Sequence, residues 1–210
     1  MIKKTALLAV LASSFAFGAS AATTYVALKA DSDSGYSTKD SVTSDVTPTF
    51  TFKGRRDSAF SYELLNKTTG ESTSDRLNLS RFVSKKSKTF PYLADGKYEL
   101  KYTNTDERET KYTYFEIDTT VAPTKLTHRV SGDSIIFSGN VEPNSLVEIS
   151  YYPQNKQYQE VATVVTSNSD DGYVVADLPL ISSEEGYVLQ YFVTDKAGNR
   201  STTTNFYLNF

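Results

Sequence analysis

Leu93-Ala94-Asp95-Gly96-Lys97-Tyr98-Glu99-Leu100-Lys101-Tyr102, with Asp106 beyond it, has a counterpart 89 residues further on. There the chain reads Gly186-Tyr187-Val188-Leu189-Gln190-Tyr191-Phe192-Val193, with Asp195 beyond. Tyr98, Leu100, Tyr102 and Asp106 align without a gap on Tyr187, Leu189, Tyr191 and Asp195. Each copy puts its large apolar residues on alternate positions, which is the period of a strand with one buried face. A repeat of about 90 residues made of short alternating segments has the size of one small β-sandwich.

Working outward, the alternation continues in both directions. Strands are predicted at 25–29, 47–53, 59–65, 97–103 and 111–117, then at 125–130, 134–138, 146–152, 159–166, 173–178, 187–194 and 203–210. Phe50 and Phe52 share a face, as do Phe60, Tyr62 and Leu64, and as do Val147, Ile149 and Tyr151. Turn residues separate the strands, at Asn66-Lys67-Thr68-Thr69-Gly70, Glu142-Pro143-Asn144 and Lys196-Ala197-Gly198-Asn199. No stretch of ten residues carries a helical stripe. Ser182-Ser183-Glu184-Glu185 allows one helical turn. The two copies meet at Ile117-Asp118-Thr119-Thr120-Val121-Ala122-Pro123, where Pro123 stiffens the hinge. Tyr98 and Tyr187 stand early in the second-to-last strand of each copy, the place of a tyrosine corner.

The amino terminus reads as an export signal. Met1-Ile2-Lys3-Lys4 is a basic start, Thr5 to Gly18 is apolar, and Ala19-Ser20-Ala21 is a small-residue cleavage site. Removing it takes the formal charge from −3 to −5. A net acidic surface argues against nucleic acid and anionic membranes as partners. Lys85-Lys86-Ser87-Lys88 is a local exception, read as a solvated loop or an edge strand protected by its lysines. The chain has no cysteine, so its cores are held by packing and no thiolate metal site is possible.

The Asp-Thr-Thr-x-Ala-Pro hinge, the segment Val193-Thr194-Asp195-Lys196-Ala197-Gly198-Asn199-Arg200-Ser201, and the opening Leu28-Lys29-Ala30-Asp31-Ser32-Asp33-Ser34-Gly35 resemble tandem bacterial Ig-like domains. Such modules repeat in large bacterial adhesins and biofilm-matrix proteins. The resemblance implies an all-β fold of two tandem Ig-like antiparallel β-sandwich domains after a cleaved signal peptide. The divisions are 1–21 for the signal, 22–118 for domain one and 119–210 for domain two. The first copy departs from the pattern, with Thr105-Asp106-Glu107-Arg108-Glu109 in place of Asp-x-Ala-Gly-Asn.

Chemistry is sparse. His128 is the one histidine and stands in a strand with no nucleophile motif beside it. Glu184-Glu185 and Asp170-Asp171 are neighbours in loops, not carboxyls facing each other across a cleft. The strongest chemical expectation follows from the resemblance, whose related repeats place calcium between domains. In an Ig-like topology Asp31, Asp33, Asp40, Asp45 and Asp118 would meet Asp195 and Asn199 at the hinge, offering the oxygen ligands that Ca²⁺ takes. The bland reading of the same residues is turn formation. Tyr151, Tyr152 and Tyr158 are the candidates for a glycan platform.

The leading functional expectation is an exported, non-enzymatic binding or adhesion protein. It would act by surface recognition of an unknown protein or glycan at the cell envelope or extracellular matrix, without inserting into a membrane. The alternative is a periplasmic protein-binding or inhibitor module. The terminal alternation through Phe210 also raises an outer-membrane barrel, which Lys97, Glu99 and Lys101, with Lys111 and Thr113, expected on the outward face, oppose.

Overall fold

The computed structural model describes residues 23–154, 161–166, 171–180 and 186–209. Residues 1–21, expected to be an export signal, and Tyr158, Asp170, Ser182 to Glu185 and Phe210 lie outside the described residues. The first half contains β1 (Tyr25–Leu28), β2 (Val42–Thr43), β3 (Thr49–Lys53), β4 (Ala59–Asn66), β5 (Ser72–Asn78), β6 (Lys85–Thr89), β7 (Gly96–Asn104) and β8 (Thr110–Ile117). The second contains β9 (Lys125–Ser131), β10 (Ser134–Asn140), β11 (Leu146–Pro153), β12 (Val161–Thr166), β13 (Tyr173–Pro179), β14 (Tyr187–Thr194) and β15 (Thr204–Leu208). There is no helix among the described residues.

The strands form two sandwiches with one topology. Sheet order β1-β3-β6 in the first matches β9-β10-β13 in the second. The opposing sheet runs β2-β8-β7-β4-β5 in the first, and β15-β14-β11-β12 in the second matches it from β8 onward. The sequence repeat falls on β7 and β14, each paired on both sides, with β4 and β8 or with β11 and β15. A strand hydrogen-bonded on both edges and packed on one face has the least freedom to change. All four sheets are open, so the barrel reading is set aside.

Each half buries its own apolar cluster. Phe50 and Phe52 on β3 cross the first sandwich to meet the facing sheet, with Phe50 4.9 Å from Phe115 and Phe52 5.3 Å from Phe60, both edge to face. The second core is more aliphatic, built on Ile135, Val147, Ile149, Leu189 and Val193.

Two strands escaped the sequence, and a third was read only as one of two alternatives. Val42–Thr43 is too short for alternation to show, and it pairs parallel to β8, the exception to an antiparallel fold. Along β5 only Leu77 is buried, so there is no pattern to find. β6 is the edge strand that the lysine run suggested. Its register sets Lys86 opposite Phe52 and Lys88 opposite Phe50, on the core-facing side. Lys88 reaches across the open side of the sandwich to Asp75 on β5, at 3.4 Å.

Candidate metal centre

The β1–β2 loop of the first sandwich packs on the turn that follows β14 in the second. Gly35 and Gly198 touch there with positive φ, +89° and +88°. A Cβ on Gly35 would stand 2.1 Å from the carbonyl oxygen of Lys196, so only glycine fits. The Ser34 hydroxyl donates to the Ala197 carbonyl at 2.5 Å, and the Tyr36 hydroxyl donates to the Asn144 carbonyl. Lys196 faces Asp40 at 3.8 Å.

Beside this contact three acidic residues converge from separate strand ends. Asp118 follows β8, Glu142 lies in the β10–β11 loop, and Asp195 follows β14. One carboxylate oxygen from each lies within 4.8 Å of the others. Asp195 is fully buried and the other two are half-buried. Asn199 ties the group together. Its main-chain N–H donates to Asp195 Oδ1, and its Nδ2 donates to Asp195 Oδ2 and to the Asp118 carbonyl, all at 2.8–2.9 Å. Asp118 accepts from the Thr120 N–H and Glu142 from the Ala122 N–H. Burial pushes the Asp118 carboxyl above the ordinary carboxylate range, and the charges of Asp195, Asp95 and Glu116 add to this. Glu142 is raised by burial, with Asp118, Asp195 and Glu116 pushing the same way.

The donor set suits a hard cation. Oxygens bound to one Ca²⁺ at about 2.3–2.6 Å lie at most about 5 Å apart, a separation these three carboxylates meet. Main-chain carbonyls and water would complete the shell. Such an ion would relieve the repulsion among the acids and lock one sandwich to the other.

Of the residues expected at the hinge, the structure brings Asp118, Asp195 and Asn199 together and adds Glu142. Asp31, Asp33, Asp40 and Asp45 join no such group among the described residues. This corrects the expected ligand set, because these four shape the β1–β2 region instead. Asp31 faces Lys29 in solvent at 3.3 Å. Asp33 is buried, which raises its carboxyl pKa, Asp40 caps the Val42 N–H, and Asp45 accepts from both the N–H and the hydroxyl of Thr47. Glu142 was hidden in a Glu-Pro-Asn turn, and no local signal marks it.

Pro123 is exposed in the link between β8 and β9. That link is pinned by Thr119 on Asp95 at 2.9 Å and by the Tyr191 hydroxyl donating to the Thr124 carbonyl at 3.3 Å. Tyr98 is buried, and its hydroxyl donates to the Ala94 carbonyl at 2.7 Å while accepting from Asn66 Nδ2 at 3.1 Å. Tyr187 is fully buried, its ring 6.0 Å from that of Tyr151. Tyr151 is therefore no glycan platform: it faces the core, and its hydroxyl is used on the Pro179 carbonyl. Tyr152 is half-buried. The exposed parallel ring pair is Tyr112 and Tyr114 on β8, with centroids 6.5 Å apart and planes at 11°. His128 packs against Phe206 at 4.9 Å.

Residues 20–119 match the family described as "Bacterial Ig-like domain". This segment is a bacterial Ig-like domain. The second sandwich repeats the strand order of this Ig-like unit except for β2, which has no counterpart there among the described residues. No curated protein matches the chain. Among solved structures it is similar to the FN1–FN3 domains of chicken CNTN1, with 12% identity and a TM-score of 0.43, covering 81% of this chain and 63% of that one. It is also similar to the BSP domain of a biofilm-associated protein, with 15% identity and a TM-score of 0.33, over 80% of this chain and 28% of that one. A two-domain fibronectin type III segment of chicken tenascin gives 15% identity and 0.35, over 79% and 94%. The chain thus spans less than two thirds of the first two of these structures. At these scores nothing about ligands passes from them to the Ig-like unit described here.

Proposed function

We propose that the chain is an exported, non-catalytic binding protein of two modules, divided between Asp118 and Thr119, that acts by surface recognition at the cell envelope or in the extracellular matrix. The observation that carries this reading is the pair Tyr112 and Tyr114. The two residues are 49% and 56% exposed on the outer face of a sheet whose other face packs on the core. Exposed parallel aromatic rings add nothing to the core and serve contact with a partner. Lys101 and Glu99 stand opposite them on β7, offering hydrogen-bonding groups around the rings. Tyr114 also borders a cavity of about 420 Å³ that extends to Asp40 and Lys196 at the joint. A joint held by calcium through Asp118, Glu142 and Asp195 would keep this face in fixed relation to the second module.

Retention of the chain lacking residues 1–21 on glycan arrays, isolated cell envelope and matrix polymers tests the reading. Binding is expected to at least one, and Tyr112→Ala with Tyr114→Ala should weaken it by about tenfold or more. No retention on any of them overturns it. Pull-down of a single periplasmic protein would favour an inhibitor module instead.

A further inference from the structure

The pole of the first sandwich that points away from the joint gathers residues that are far apart in sequence. Across β1 and β3, Leu28 and Phe50 pair at the joint side and Tyr25 and Lys53 at the far side. At that far pole the β3–β4 and β5–β6 loops lie side by side. The Gly54 N–H donates to the Ser84 carbonyl at 3.0 Å, the Asp57 N–H to Ser80 at 3.2 Å, and the Leu79 N–H to Ser58 at 2.9 Å. These bonds set Arg55 and Arg56 beside Arg81-Phe82-Val83, while the register of β6 adds Lys85 opposite Lys53.

All these side chains except the half-buried Lys53 are exposed. Phe82 is 72% exposed and Val83 42%, and the Arg81 guanidinium lies 4.7 Å from the centre of the Phe82 ring. Leu77 and Leu79 directly before them are buried, so the tip is anchored to the core. Among the described residues, Arg55, Arg56, Arg81 and Lys85 have no carboxylate within 4.0 Å. These cations surround an exposed aromatic ring, and the acids of the same pole are Asp57 in the β3–β4 loop and Asp106, Glu107 and Glu109 after β7, of which Glu107 and Glu109 are paired with Lys111 at 2.6 and 3.7 Å.

The same pole of the second sandwich is the one covered at the joint, and it carries Glu142, Asn144, Asp195 and Gly198. The free pole has Asp106-Glu107-Arg108 where the joint uses Asp195 and its glycine turn. It is thus not a spare joint for another copy of the chain. Cations alone would suit any polyanion. Cations surrounding a projecting Phe-Val pair suit an anionic surface with an apolar layer beneath it.

We propose that this pole docks peripherally on an anionic phospholipid surface. Arg55, Arg56, Arg81 and Lys85 face the phosphates, and Phe82 and Val83 enter the interfacial zone. No spanning segment is needed, and no helix among the described residues is long and apolar enough to cross a membrane. The acidic composition concealed this, because net charge averages over a surface on which the fold has sorted the charges.

The test is co-sedimentation of the chain lacking residues 1–21 with phosphatidylcholine vesicles, with and without phosphatidylglycerol. Binding is expected only with phosphatidylglycerol and should fall as salt is raised. Alanine at Arg55, Arg56 or Arg81 should weaken it by about fivefold per charge removed. Phe82→Ser should weaken it by about tenfold at constant salt. Tyr112→Ala with Tyr114→Ala should leave it unchanged, so this proposal and the recognition reading fail separately. Absence of binding to phosphatidylglycerol vesicles overturns the proposal. So does equal binding to soluble heparin with no effect of Phe82→Ser, which would assign the pole to an acidic polymer.

Discussion

Tyr98 and Asn66 form a buried polar pair that closes the turn before β7. Tyr98→Phe removes the hydroxyl but leaves the Asn66 amide and the Ala94 carbonyl in place. A loss of about 1–2 kcal/mol is expected, read as a lowered midpoint in denaturant unfolding with an unchanged slope. At the joint, Asp118 and Glu142 both have raised pKa values from burial among other acids. A carboxyl that binds its proton more tightly when folded gains stability as the pH falls from neutral through its raised pKa towards the ordinary carboxylate range, and loses it as the pH rises. Metal-free protein should therefore melt higher at mildly acidic pH than at neutral pH. Calcium should raise the neutral melting temperature and flatten this dependence, because a bound cation holds the acids ionised. Asp118→Asn with Glu142→Gln should remove both effects. Melting curves unmoved by calcium at neutral pH would dispose of the site. The neighbouring case of Asp106 is instructive. It aligns with Asp195, yet it is exposed while Asp195 is fully buried, because the turn after β14 packs against the first sandwich and the turn after β7 lies at the free pole.

Among the elements, the strands legible in the sequence were those with one buried face. On β3, β4, β7, β11 and β14 the side chains that alternate in the sequence also alternate in burial. Phe50 is fully buried between β6 and β8, with rings of Phe90 and Phe115 against it, and Phe50→Ala should cost about 3–5 kcal/mol in unfolding free energy. Edge strands were hard to read because their residues answer to solvent and to neighbouring molecules instead of to the core. β5 and β6 are the example, with Lys86 and Lys88 turned towards the opening between the sheets. Charges placed inward at an edge oppose pairing with another sheet. Lys86→Val with Lys88→Val should leave the monomer folded but promote self-association, seen as concentration-dependent light scattering absent from the parent.

At the scale of the whole molecule, the relation between the sandwiches rests on the contact of two glycines, cross-joint hydrogen bonds and a tethered link. Gly35→Ala or Gly198→Ala would put a methyl group against backbone where the conformation already favours glycine. Each is expected to break the joint while leaving both cores intact. Small-angle scattering should then report a larger radius of gyration, with circular dichroism unchanged. An unchanged radius would mean that the link alone sets the arrangement. The same arrangement covers one pole of the second sandwich and leaves the corresponding pole of the first exposed. Tandem order therefore makes two similar folds present different surfaces.

Alternation of apolar residues, an internal repeat and turn chemistry were enough to establish an all-β chain of two sandwiches, since burial against a sheet imposes a local period that any single strand must obey. The lysine edge followed from the same local rules, whereas the grouping of Asp118, Asp195 and Asn199 came with the resemblance to tandem Ig-like domains, in a set whose Asp31, Asp33, Asp40 and Asp45 the fold keeps elsewhere. Glu142 in the acidic cluster, the exposure of Tyr112 and Tyr114, the burial of Tyr151 and the meeting of Arg55 with Arg81 at one pole were decided only by the tertiary structure. They depend on which loops a fold brings side by side and which sheet face it leaves open, and those are relations between distant residues that no local period records.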